Sequence, residues 1–228
     1  RKVVVSGNHR CSIAYHLDID VPYVELELSD YISSVVVNEE EFYGTKNGGV
    51  PYQSVYYGDQ EVLPGRRQDI FERFQKISIG DIRGKSVLDS GSNIAISCML
   101  AWQYGASRAV AGEYSPKIGT SALRISTVLN SDIDVAVQDW GKPIADLEEF
   151  DTVFSFSLYA HVGDDKVAYE KNLVKAAKKI LYFEGHQRSS QEDYEHIFQH
   201  FKKVEFLGYN RDGIQNNDST RPFFRCEK

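Results

Sequence analysis

The stretch from Ser86 to Tyr114 constrains this chain most. A short apolar strand, Ser86–Leu88, runs into Asp89 and Gly91. A helix is predicted over residues 94–104, then a second strand, Arg108–Ala111, ending at Gly112-Glu113. That is half of a nucleotide-binding βαβ unit. Glycine permits the tight turn after the first strand, and the helix that follows offers its N-terminal amides to a ligand. Glu113 stands 24 residues after Asp89, at the tip of the second strand. A carboxylate placed there accepts both hydroxyls of a ribose. The spacing implies an adenosine-type cofactor.

Beyond Gly84 the pattern keeps alternating. Strands are predicted at Ile133–Val137, Thr152–Ser155, Ile180–Glu184, Lys203–Gly208 and Pro222–Cys226, and helices near 116–129, 165–178 and 190–201. Short apolar strands alternating with helices imply a doubly wound, mostly parallel α/β sheet of seven strands. The connector between the last two strands, Tyr209–Arg221, is too short for a helical crossover, so the C-terminal strand should run antiparallel. Residues 1–83 read as a small N-terminal cap before a core of residues 84–228. The cap starts as strand Val3–Val5, helix His9–His16 and strand Val21–Leu28. Residues 29–65, rich in glycine and tyrosine, suit loops with a β-hairpin or two. Residues 67–78 carry helical periodicity through Ile70, Phe71, Phe74 and Ile77.

The common owners of such a βαβ unit are nicotinamide dehydrogenases and S-adenosylmethionine (SAM) methyltransferases. A dehydrogenase needs Gly-x-Gly-x-x-Gly to let backbone approach a pyrophosphate. Here the string is Gly91-Ser92-Asn93-Ile94-Ala95, in which Asn93 and Ala95 crowd that approach and Asp89 repels it. An acid before the turn suits a sulfonium or an ammonium.

With these residues in view, Gly84–Lys228 resembles the class I (Rossmann-like) SAM-dependent methyltransferase family. Val87-Leu88-Asp89-Ser90-Gly91 is similar to its first motif, and Glu113 matches its ribose-binding acid. Gln138-Asp139-Trp140 matches the place where an acid meets the adenine amino group and an aromatic covers the ring. Phe150–Ser157 matches the fourth-strand motif beside the reactive methyl. Ala95 departs from the pattern, where glycine is usual. The resemblance implies SAM as cofactor, contacted by Asp89, Gly91, Ser92, Asn93, Glu113, Tyr114, Asp139, Trp140 and Ser155. Arg66 or Arg67 is placed to reach the SAM carboxylate or an acidic group of the substrate, since guanidinium grips carboxylates bidentately.

Catalysis should come from the carboxyl ends of the fourth and fifth core strands. His161 follows the fourth, and Glu184 and His186 close the fifth. An imidazole titrates near neutrality, so His161 suits a general base that removes a hydroxyl proton during O-methylation, with Glu184 orienting it. The same three residues are also candidates for a divalent metal, although no HxH or HxxxH spacing supports one. No Asn-Pro-Pro-Tyr-type motif for amino-group methylation follows the fourth strand; Ser157-Leu158-Tyr159 stands there instead. The expected activity is therefore O-methylation of a sugar, glycan or other polar small-molecule acceptor.

Two alternatives stay open. One is an RNA-modifying methyltransferase with a basic groove from Lys46, Arg66, Arg67, Arg73 and Lys76. The other is a non-catalytic SAM- or nucleotide-binding module. The net charge of −7 argues against a broad nucleic-acid footprint. No apolar run reaches membrane-spanning length, and Cys11, Cys98 and Cys226 show no paired spacing, as in a reduced, cytoplasmic protein. The chain starts at Arg1, which suits a domain from a longer, multidomain protein. Gly7-Asn8-His9-Arg10 resembles the Gly-x-His-Arg segment of ParB/sulfiredoxin-like domains, which implies a structural remnant or a phosphate site at His9 and Arg10.

Overall fold

The computed structural model describes residues 8–20, 25–36, 51–65, 67, 70–163, 166–211 and 220–228, with backbone alone for 8–11 and 36. The strand expected at Val3–Val5, the side chains of His9 and Arg10, and residues 37–50 of the cap lie outside the described residues.

Two helices open the chain, α1 (Asn8–Leu17) and α2 (Leu28–Val36). The expected strand Val21–Leu28 is not found where it is described: residues 25–27 are irregular and Leu28 begins α2. Ile32 and Val35, one helical turn apart, enter the core, and that burial overrides the strand propensity. A hairpin follows, β1 (Val55–Tyr57) and β2 (Gln60–Leu63), then α3 (Ile70–Lys76). Before the hairpin the chain is tied to residue 67: Ser54 N–H donates to Arg67 O at 2.9 Å and Arg67 N–H to Tyr52 O at 2.8 Å. Gly65 makes this strap possible, because a Cβ there would lie 2.2 Å from the Gln53 carbonyl carbon.

The main sheet holds β3 (Ser86–Asp89), β4 (Arg108–Glu113), β5 (Asp134–Val137), β6 (Phe150–Phe156), β7 (Ala177–Glu184), β8 (Lys203–Arg211) and β9 (Thr220–Glu227). The spatial order is β5-β4-β3-β6-β7-β9-β8, and β9 is antiparallel to both neighbours. The expected seven-stranded sheet with its antiparallel C-terminal strand is thus present. Helices α4 (Ile96–Gln103), α5 (Pro116–Val128), α6 (Lys166–Ala176) and α7 (Glu195–Phe198) connect or flank the strands. Helix α4 is buried from Ile96 to Ala101, an apolar stretch with no wet face. Helix α5 starts at Ser115, whose hydroxyl accepts from Ile118 N–H, with Pro116 at the first helical position.

The helix expected over 190–201 is shorter: a 3₁₀ turn, Glu192–Tyr194, then the four residues of α7. Tyr194, Ile197, Phe198 and Phe201 do recur at helical spacing and are all buried. The run breaks because Tyr194 adopts φ −120°, which turns its ring onto Phe183.

Two apolar clusters cover the two faces of the sheet. One joins Val87, Phe154, Phe156, Tyr182 and α4 to Ile32, Val55, Tyr56 and Ile70 of the N-terminal segment. The other joins Leu88, Val153, Leu181 and Phe183 to α6 and the Tyr194–Phe201 segment. The strand order reverses direction around β3, and a sheet of this kind opens a crevice at the carboxyl ends of its strands there.

Candidate active site

A cleft of about 550 Å³ opens at that position, lined from the ends of β3, β4, β5 and β6, the strap and α3. Its wall carries both signs of charge. Asp89, Glu113 and Asp139 form an acidic side at the ends of β3, β4 and β5; Arg67, Arg73 and His161 come from the strap, α3 and the loop after β6, and Arg73 is close enough to Asp89 to favour its ionised form.

On the acidic side Asp89 is buried at the tip of β3, and burial pushes its carboxyl up to about 6, against the pull of the Gly91 amide. That amide donates to Asp89 Oδ1 at 3.3 Å. Glu113 closes β4. One of its oxygens accepts from Asn93 N–H at 2.8 Å and the other from Ser115 N–H at 2.9 Å. Burial still raises its pKa. The Tyr114 amide bonds it as well, so about one of a carboxylate's four acceptor positions is left for a ligand hydroxyl. Asp139 caps its own turn, accepting from Gly141 N–H at 3.1 Å, and pairs with Lys142 at 3.0 Å. Tyr114 stands at the rim, 64% exposed.

Two glycines set the shape of this side. A Cβ at Gly112 would lie 2.5 Å from Trp140 Nε1, so the indole lies flush on β4. A Cβ at Gly91 would lie 2.6 Å from Leu158, which presses the loop after β3 against the loop after β6. Trp140 is 5% exposed and its Nε1 has no partner among the described residues. Ala95 has φ +64°, a left-handed position that explains the glycine usual there, yet it is fully buried in the core and absent from the cleft wall. Its methyl therefore leaves the cofactor space unchanged.

His161 ends a 3₁₀ turn, Tyr159–His161, that leaves β6 through Ser157, a residue with φ +55°. Its ring meets that of His186 edge to face, 5.2 Å between centroids. Burial lowers its pKa below the usual 6.5, and the charges of Arg221 and Arg67 lower it further. His186 is pushed down to about 4, by burial first and then by Arg221 and His161. Both imidazoles are therefore neutral at pH 7, the form a proton acceptor needs.

Four expected site residues sit elsewhere. Ser155 belongs to the opposite face of β6 from the cap, where its hydroxyl meets Tyr169 OH at 2.6 Å; alternation along the strand turns it from the cleft. Ser92 is fully buried behind the loop. His186 stands behind His161, outside the cleft wall. Glu184 does not orient His161. It is wholly buried and grips Arg73 through two 2.7 Å bonds, with Arg67 at 3.5 Å, Asn210 at 2.9 Å and the Ser157 hydroxyl also bonded to it. A buried carboxylate needs such partners, and guanidinium supplies them in fork geometry.

The sequence reading missed Tyr52, Gln53 and Arg73 as cleft residues. Arg73 had a signal: it lies three residues from Ile70 and one from Phe74, on the apolar face of a predicted helix. Gln53 and Tyr52 had none, since the strap brings them in. The basic groove of the RNA reading does not form from its described members. Arg67 and Arg73 point inward, and Lys76 bonds Tyr209 O and Asn210. Lys46 and Arg66 lie outside the described residues. Among the described residues no three His, Cys, Asp or Glu side chains group as a metal site, and no helix is long and apolar enough to cross a membrane.

The strand order, the reversal at β3 and the cleft above it define the fold of class I SAM-dependent methyltransferases. Among solved structures, the chain is similar to the magnesium protoporphyrin IX methyltransferase of Synechocystis, crystallised with bound SAM. The TM-score is 0.60 at 12% identity, over 91% of this chain and all of that one. It is also similar to a 16S rRNA methyltransferase of T. thermophilus in complex with AdoMet and guanosine, with TM-score 0.53 and 16% identity over 70% of this chain. It spans only 42% of that protein's length. A branched-chain polyamine synthase of Thermus thermophilus, in complex with 5'-methylthioadenosine, matches with TM-score 0.51 and 16% identity, over 65% of this chain and 51% of that one. No protein-family model matches the sequence, and no curated protein sequence matches it.

Proposed function

We propose that the protein is a SAM-dependent O-methyltransferase acting on a hydroxyl of a polar small molecule, a sugar or glycan being the favoured acceptor. The observation that carries this is one cleft whose wall holds buried acids at the switch point of the sheet together with a neutral imidazole. Asp89 and Glu113 are suited to hold a cationic, ribose-bearing cofactor, with Asp139 and Trp140 toward the adenine. When bound, SAM would supply an electrophilic methyl for in-line transfer. His161 would take the acceptor's proton at a ring nitrogen, and Ser157 and Leu158 would bound the approach of the acceptor.

The cap, residues 1–83, would fold over the acceptor, and the placement of Tyr52, Gln53 and Arg67 in the cleft supports this. The likeness to a 16S rRNA methyltransferase keeps RNA as the second reading. Two measurements test the proposal. Calorimetric titration should show SAM and S-adenosylhomocysteine binding in preference to NAD. Methyl transfer from SAM should be detected on hydroxyl-bearing small molecules and not on RNA; transfer to RNA with a steep salt dependence would replace the small-molecule reading. Binding of NAD in place of SAM would overturn both.

A further inference from the structure

The basic side of the cleft is built more heavily than proton removal requires. Three arginines converge there, Arg67, Arg73 and Arg221, each less than a tenth exposed. Glu184 ties all three together at 2.7 to 4.0 Å. Arg67 and Arg73 also form cleft wall. Beside Arg67, bridged to it through the strap, lies Gln53, which is 93% buried. Gln53 lines the same cleft, and its Oε1 has no hydrogen-bond partner among the described residues. In a chain of net charge −7, a pole of guanidiniums with a bare carbonyl oxygen beside it is a specific arrangement.

Resting on the methyltransferase reading, we infer that the acceptor is a hydroxylated oxyanion whose carboxylate or phosphate docks at Arg67 and whose hydroxyl bonds Gln53 Oε1. Guanidinium is the side chain suited to that charge. A buried carbonyl oxygen lacking a donor is costly; Gln53 Oε1 is sealed as it stands, so the amide would turn toward the cleft to meet a ligand hydroxyl. Asp89, Glu113 and Asp139 would repel the same anion from the cofactor side, so the two substrates sort themselves by charge. The groups facing His161 fit this as well. Burial lowers its pKa first, and Arg221 and Arg67 lower it further, with His186 packed against it. An anion docked between them and the ring would relieve that effect and strengthen the base as the acceptor binds.

The test uses protein saturated with S-adenosylhomocysteine and follows the His161 imidazole by NMR titration. The probes are acetate, inorganic phosphate, glucuronate, glucose 6-phosphate and neutral glucose. The anions should raise the His161 pKa saturably and glucose should not; the ranking of glucuronate against glucose 6-phosphate separates carboxylate from phosphate recognition. Arg67→Gln should weaken the anion effect roughly tenfold or more. Because Arg67 also contacts Glu184, Gln53→Leu provides a second variant: it should weaken glucuronate or glucose 6-phosphate while leaving acetate and phosphate unchanged. A His161 titration indifferent to every anion, in protein that still binds S-adenosylhomocysteine, overturns the inference and leaves the methyltransferase reading standing. Failure to bind S-adenosylhomocysteine at all overturns that reading instead.

Discussion

Glu113 and His161 carry the two sharpest expectations at the scale of single residues. Glu113→Ala would remove the proposed acceptor for ribose hydroxyls, and loss of hydrogen bonds to a charged group costs about 1.5–3 kcal/mol. SAM affinity measured by calorimetry should fall by that amount, roughly tenfold to a hundredfold. The same change strips Asn93 and Ser115 of their amide acceptor, so a melting curve should accompany the titration. His161→Ala should slow methyl transfer by about 10²–10⁴-fold with SAM affinity held within a few-fold. In the wild-type protein the rate should rise with pH through a pKa below that of a free imidazole, because burial, and then Arg221 and Arg67, disfavour the protonated ring. A plateau reached only well above pH 7 would rule His161 out as the base. Much of this was legible in the sequence. Asp89, Gly91 and Glu113 were put on the cleft wall by strand-end spacing, and Asp139 and Trp140 by the family resemblance. Ser155 and Glu184 were not, because spacing shows that a residue lies near a strand end but not which face it takes or how many arginines claim it.

The loops that seal the cofactor side are governed at the element scale by what glycine leaves out. Gly112 lets Trp140 rest on β4, and its added methyl would meet a rigid indole rather than a flexible chain end. Gly112→Ala should therefore displace Trp140. Overpacking of this kind costs about 1–3 kcal/mol. The variant should show a lowered melting temperature and a blue- or red-shifted tryptophan emission, with SAM binding weakened. The strands were legible because apolar runs flanked by turn residues leave few other choices. The strap was not, since residues 52–54 and 65–67 meet only across the intervening hairpin. The 190–201 segment misled for another reason: its spacing reports burial faithfully, yet burial at that spacing is also met by a 3₁₀ turn joined to four helical residues. One consequence reaches the site. His196, in α7, bonds Tyr159 OH at 2.9 Å and so buttresses the turn that carries His161.

Charge burial links the cleft to the stability of the whole molecule. Asp89 has its carboxyl raised from 3.8 to about 6 by burial. An acid whose folded pKa lies above its unfolded value favours folding when protonated. Its ionised form destabilises the fold progressively as pH rises from about 4 to 6, by about 3 kcal/mol above that window. Asp89→Asn should accordingly be more stable than the wild type at pH 7, with the difference vanishing near pH 4 in denaturant titrations. Saturating SAM should close the gap at pH 7 by stabilising only the wild type, since the sulfonium favours the carboxylate. If wild type and Asp89→Asn respond alike to SAM, Asp89 does not face the cation.

Strand β9 has an effect outside chemistry altogether. It lies between β7 and β8 although it is made after both. During synthesis, β8 has no place to dock until Thr220–Glu227 has left the ribosome. Until β9 is in place the sheet holds five strands, with β7 as an open edge and β8, carrying Phe206 and Tyr209, without its partner. Exposed edges of that kind pair with whatever strand is near. The folding chain thus stays open to edge pairing for as long as β9 has not inserted between β7 and β8.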